Sequence, residues 1–127
     1  MVNILLVMAG GAIGSALRYQ LGRLCTRAFG MGWPWGTLAA NVIGGLVMGL
    51  FVGWLAARAQ GGEQLRLFWA VGVLGGFTTF SSFSLETWLM IERGELLSAM
   101  TYVAASVIVA IAALAAGLMI MRMGATA

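Results

Sequence analysis

The 127-residue sequence has no histidine, lysine or aspartate, and only one cysteine and one proline. Each absence closes a class of function. Without histidine and aspartate there is no Ser-His-Asp triad, no imidazole base and no histidine-rich metal site. Without lysine there is no phosphate-cradling Walker loop. Cys25 stands alone, which rules out an intrachain disulfide and leaves an ordinary buried or interfacial thiol. No serine or threonine has a neighbouring histidine or lysine to activate it, and Glu63, Glu92 and Glu95 fall in or beside expected loops, so nothing points to an enzyme. Charge itself is scarce. Seven Arg and four Glu make up 9% of the chain, against about a quarter in soluble domains. The arginines are scattered, so the net charge of +3 forms no nucleic-acid footprint.

Apolar residues fill the space that charge leaves, at 61% of the chain. Eleven charged side chains cannot cover the surface of a soluble fold, so the bilayer must act as solvent. Uncharged stretches run over 2–17, 28–57, 67–85 and 96–121. A spanning helix needs about 20 mostly apolar residues, with a range of roughly 17–25. The second and fourth stretches meet that outright; the first reaches it by including Arg18, and the third by including Glu86 and Trp88. The N-terminus lacks a basic n-region and a small-residue cleavage site, so it reads as the first span and not a removed signal. Trp33, Trp35, Trp54, Trp69 and Trp88 fall near span ends, where an aromatic belt is expected. Gly30–Pro34, Ala59–Gly62 and Arg93–Glu95 read as the three turns. The expected fold is an all-α integral membrane protein, one domain over residues 1–127, with four transmembrane helices and a break in the third.

Orientation is balanced. Arg58, Arg66 and Arg122 lie on one side, Arg23, Arg27 and Arg93 on the other, and Arg18 within span one. The positive-inside rule therefore casts no vote. Either such a chain inserts both ways and pairs as antiparallel dimers, or one arginine dominates and fixes the topology.

Gly10 and Gly14, and then Gly45, Gly49 and Gly53, repeat a four-residue spacing that lets helices approach closely in lipid. These read as packing faces. Span three differs. Between Gly75 and Ser84 stand two glycines, two threonines and three serines, which weaken the helix at its centre and supply hydroxyls for freed carbonyls. Such breaks at membrane depth often form ion sites. The ordinary alternative is a glycine kink with hydroxyls bonded back to their own helix. Phe80 and Phe83 are three apart and share a face, and ring edges turned into a narrow pore carry the positive end of the aromatic quadrupole. Span two aligns Thr37, Asn41, Gly44 and Met48; span four places Tyr102 and Ser106 four apart. Donors on three helices, with Glu86 the one carboxylate within the spans, favour an anion over a cation or a proton relay.

Gly75-Gly76-Phe77-Thr78-Thr79-Phe80-Ser81-Ser82-Phe83-Ser84 closely resembles the signature of the Fluc (CrcB) family of fluoride channels. Gly11-Ala12-Ile13-Gly14-Ser15-Ala16-Leu17-Arg18-Tyr19 resembles that family's first-helix motif, and Trp35–Asn41 with Gly44-Gly45 its second. The resemblance implies an antiparallel, dual-topology homodimer in the bacterial inner membrane, with two pathways that export cytoplasmic fluoride passively. Phe80 and Phe83 match the family's pore phenylalanines and Asn41 its pore asparagine. Tyr102, Ser106 and Ser81 match polar positions along the anion track, and Glu86 and Arg18 recurrent charged positions. Backbone carbonyls of Gly75 and Thr78 match those that hold a structural sodium ion between subunits. The family carries a further serine one turn after Ser106, where this chain has Ala110; its track therefore ends earlier or uses Thr37 or Thr87.

Two rival readings remain at this level. A small multidrug-type exporter would place a carboxylate in the middle of span one, which this chain lacks. A non-transporting assembly subunit would use the polar centre only to glue helices together.

Overall fold

The computed structural model describes residues 1–58 and 62–126, with side chains to Gly124. The expected turn residues Ala59, Gln60 and Gly61 lie outside the described residues. Helix α1 covers Val2–Phe29 and α2 covers Trp35–Ala56. The third span starts as α3 (Glu63–Leu65), widens into a π-helical stretch (Arg66–Leu74) and narrows again to α4 (Gly75–Phe77). It stops, then resumes as α5 (Phe80–Glu92), and α6 (Leu96–Thr126) completes the bundle. Four helical segments are long and apolar enough to cross a membrane, and the shortest, α2, has 22 residues. At about 1.5 Å per residue that length matches a hydrocarbon core of roughly 30 Å.

Small residues determine how closely these helices pack. A Cβ at Gly76 would lie 2.7 Å from the carbonyl oxygen of Gly11, and one at Gly72 only 2.9 Å from Gly10 Cα. On the other side, a Cβ at Gly45 would lie 2.8 Å from Ala110 O, and one at Gly117 would be 2.8 Å from Leu50 N. Thus α1 presses its glycine face on the first half of span three, and α2 presses its own on α6. Both are backbone-to-backbone contacts that only small residues permit in lipid. Gly14→Val tests this. Its Cβ would sit 2.9 Å from Phe77 N and closer still to the Val73 carbonyl. Neither backbone group can swing away, so overpacking should cost about 1–3 kcal/mol or more. The expected outcome is a lower melting temperature in detergent; an unchanged one would show that α1 and span three are not in contact.

The break in span three is present and falls at the two threonines of the Gly75–Ser84 stretch, not at its glycine pair. Gly75 and Gly76 are helical; Thr78 (φ −84°, ψ 157°) and Thr79 (φ −150°, ψ 122°) are extended. β-Branched threonine suits extended backbone, and Thr79 then serves as the N-cap of α5. Its hydroxyl accepts the Ser82 N–H at 3.2 Å. Gly76 serves packing against Gly11, and the threonines make the break.

Near one end of the bundle, Met90, Ala99 and Tyr102 form a buried cluster, with Trp33, Leu38 and Phe83 packed on it. Much of the remaining surface of α1 and α6 is exposed and apolar, for example Leu17, Ile108 and Ile111. Lipid is the natural solvent for that surface.

Candidate ion pathway

Extended backbone at membrane depth leaves peptide groups in need of partners. Asn41, on α2, meets two of them. Its Oδ1 accepts the Thr79 N–H at 2.8 Å, and its Nδ2 donates to the Thr79 carbonyl at 3.1 Å. The side chain is a splint across the break, while its second amide N–H has no protein acceptor among the described residues. One face of α2 lies on the break, since Gly44 lets the Thr78 methyl and the Phe77 ring come close.

The splint has a consequence for the neighbouring carbonyls. In an unbroken helix the Thr79 N–H would bond Gly75 O and the Ser82 N–H would bond Thr78 O. Here the first goes to Asn41 and the second to the Thr79 hydroxyl. Among the described residues, the carbonyls of Gly75 and Thr78 therefore accept no backbone hydrogen bond. Arg18 Nε donates to Gly76 O at 3.4 Å, partly compensating that carbonyl.

Two hollows flank α5. The larger, about 820 Å³, is an open vestibule lined among others by Arg18, Arg23, Arg27, Thr37, Glu86 and Arg93. Arginines outnumber carboxylates on its wall, and Arg93 is paired with Glu95. A cleft lined by one sign of charge raises the local concentration of the opposite ion. At its inner end Glu86 is held at both oxygens. Thr37 Oγ1 donates to Oε2 at 2.9 Å, and Tyr102 Oη donates to Oε1 at 3.0 Å.

The smaller hollow, about 250 Å³, is a cleft lined by Asn41, Thr78, Thr79, Phe80, Phe83, Ser106, Val107 and Ala110. Ser106 is 5% exposed, and its hydroxyl has no hydrogen-bond partner. Phe80 and Phe83 stand 5.6 Å apart between ring centroids, and Phe83 is 5.2 Å from Tyr102. Tyr102 thus touches a lining residue of each hollow, Glu86 and Phe83.

The residues singled out from sequence gather around these two hollows. Arg18, Thr37 and Glu86 line the larger and Asn41, Phe80, Phe83 and Ser106 the smaller, while Tyr102 bonds Glu86 and packs on Phe83. Ser81 lies at the surface beside Thr79, 3.3 Å between hydroxyls. Several other hydroxyls are spent on their own helix: Thr78 on Leu74 O, Ser84 on Phe80 O and Thr87 on Phe83 O. Thr87 accordingly has no free proton with which to replace the serine missing at Ala110. Trp33 is half-buried and donates Nε1–H to Ser98 Oγ at 3.1 Å, whereas Trp35, Trp69 and Trp88 are exposed. Nothing in the sequence marked Ser98, since a serine in the first turn of an apolar helix carries no pattern.

Residues 5–118 match the family described as CrcB-like protein, Camphor Resistance (CrcB). The chain is 52% identical over 116 residues to the fluoride-specific ion channel FluC of Sphingopyxis alaskensis, covering 91% of this chain and 92% of that one. It is 55% identical over 123 residues to FluC of Caulobacter vibrioides, covering 96% and 97%. With FluC 2 of Nitrobacter hamburgensis it shares 48% over 121 residues, covering 95% and 98%. These relatives are named as ion channels, not as enzymes. By its matched length, its identity and its four spans, the chain belongs to the CrcB family of multi-pass membrane proteins that includes the fluoride-specific ion channels.

Proposed function

We propose that the chain forms a fluoride-selective channel that lets cytoplasmic fluoride leave a bacterial cell passively across its inner membrane. The unpartnered Ser106 hydroxyl carries this reading. A buried hydroxyl with no partner costs free energy unless something accepts its proton. In the cleft it stands with the spare N–H of Asn41 and the rings of Phe80 and Phe83. Fixed donors and positive ring edges suit a small dehydrated anion. The arginine-lined vestibule would gather anions at the wide end, and Tyr102 and Glu86 would lie on the way through.

The working unit is an antiparallel, dual-topology homodimer with two pathways. Phe80 is 78% exposed, and the unpaired carbonyls of Gly75 and Thr78 lie at membrane depth. Lipid cannot satisfy such groups, so a second copy is the natural cover for this face. The same two carbonyls fit the structural sodium ion of the family. They are hard oxygen ligands with no competing donor, and the ion would neutralise the carbonyl ends freed by the break. When bound there it would supply fixed positive charge between subunits.

Purified protein reconstituted in liposomes should release fluoride rapidly and chloride negligibly, with no proton gradient, as read by ion-selective electrodes. Folded dimer that releases neither ion would remove the channel reading.

A further inference from the structure

Trp33 sits where an interfacial tryptophan is expected, yet its surroundings are those of a built contact. The turn that carries it is rigid. Trp35 N–H bonds Trp33 O at 2.8 Å around Pro34 (φ −78°, ψ 63°), the geometry of an inverse γ-turn. Proline fixes that φ in advance, and the two indoles stay in contact, with ring centroids 4.7 Å apart. Trp35 goes to the surface, with Phe29 at 5.5 Å. Trp33 goes inward, and its ring meets Tyr102 edge-on at 5.2 Å with an interplanar angle of 76°. Its Nε1–H is fastened to Ser98 on α6, one turn before Tyr102 on the same helix.

Tyr102 is fully buried, with Trp33 and Phe83 each 5.2 Å from its ring. Its hydroxyl is therefore aimed by its neighbours, and it donates to Glu86, with the Thr37 hydroxyl beside it. We propose that Trp33 is a positioning residue for the ion pathway: anchored through Ser98, its indole holds the Tyr102 ring so that the hydroxyl stays on Glu86 between vestibule and cleft. Trp33 itself lines the vestibule. Its Nε1–H is spent on Ser98, so what it contributes beyond that wall is the placing of Tyr102. The inference rests on reading vestibule and cleft as one fluoride pathway.

The test is a cycle of fluoride efflux rates from liposomes, using Trp33→Phe, Tyr102→Phe and the pair. Trp33→Phe keeps a ring and removes the anchoring N–H. It should slow efflux about two- to tenfold, the worth of one neutral hydrogen bond. In the Tyr102→Phe background, with no hydroxyl to aim, the same change should have no further effect. Ser98→Ala removes the same hydrogen bond from the other side without touching the indole. It should reproduce the slowing, and it carries the test alone if Trp33→Phe does not assemble. An unchanged rate in Ser98→Ala, or equal slowing by Trp33→Phe with and without the Tyr102 hydroxyl, would overturn the proposal and leave Trp33 a packing residue. Wild-type liposomes that release no fluoride would fail differently, by removing the channel itself.

Discussion

Asn41→Leu is expected to lower the melting temperature and to suppress fluoride release by about 100-fold or more, the largest single effect foreseen for this chain. Leucine keeps the branching of asparagine with greater bulk, but has neither its donor nor its acceptor. The Thr79 N–H and C=O, bonded to Asn41 at 2.8 and 3.1 Å, would be left unpaired at membrane depth. Each orphaned group costs roughly 2–7 kcal/mol, depending on how dry its surroundings are. The chain has two escapes, to let water in or to close the break, and both destroy the cleft. Asn41→Asp separates the two jobs of the amide. It keeps an acceptor for the Thr79 N–H but loses the donor and adds negative charge beside an anion path. That variant should melt closer to wild type and still conduct poorly. Differential scanning fluorimetry in detergent and liposome efflux read the two effects apart. If Asn41→Leu melted and conducted like wild type, the splint would be dispensable and the break would hold itself.

The second large effect is expected from Phe80→Ile combined with Phe83→Ile. Isoleucine fills similar space with methyl groups and removes the positive ring edges. A favourable aromatic contact is worth about 0.5–1.5 kcal/mol, so losing two should slow fluoride efflux roughly 5- to 150-fold. Assembly should survive, because isoleucine keeps an apolar side chain at Phe80, on the face the second copy covers, and Phe83 is only partly buried. Size-exclusion chromatography of the double variant checks that point. Retained conduction would remove the ring-edge mechanism, and lost assembly would make the pair a packing element.

The span positions were legible because solvent preference is local and additive. Four gaps between charges became four spans, with turns at Gly30–Pro34 and Arg93–Glu95 where α1 stops and α6 begins. The spaced glycines were legible for a similar reason: Gly14 and Gly49 meet backbone because no other residue leaves room. The break was legible only as a region. Glycine pairs lower the cost of irregular backbone everywhere nearby, whereas the residues that leave the helix are those with partners waiting, and Thr79's partner is 38 positions away.

Side-chain roles divided along the same line. Phe80, Phe83, Asn41 and Ser106 could be named one by one from spacing and chemistry, but not their meeting around a single cleft. That Ser106 keeps a free proton while Thr87 spends its own on Phe83 O is a matter of which acceptor lies within 3 Å. Trp33 shows the limit most clearly. Its place at a span end spells a membrane belt, and only the tertiary structure shows that its ring also meets Tyr102 edge-on and its N–H is spent on Ser98. The amino-acid sequence by itself determined the solvent, the number of spans and the residue types available to an ion, because these follow from summed transfer preferences along the chain. The tertiary structure alone decided which donors are spent and which are left, because a hydrogen bond depends on distance in space, and α2 and α6 bring their side chains to the break from far along the chain.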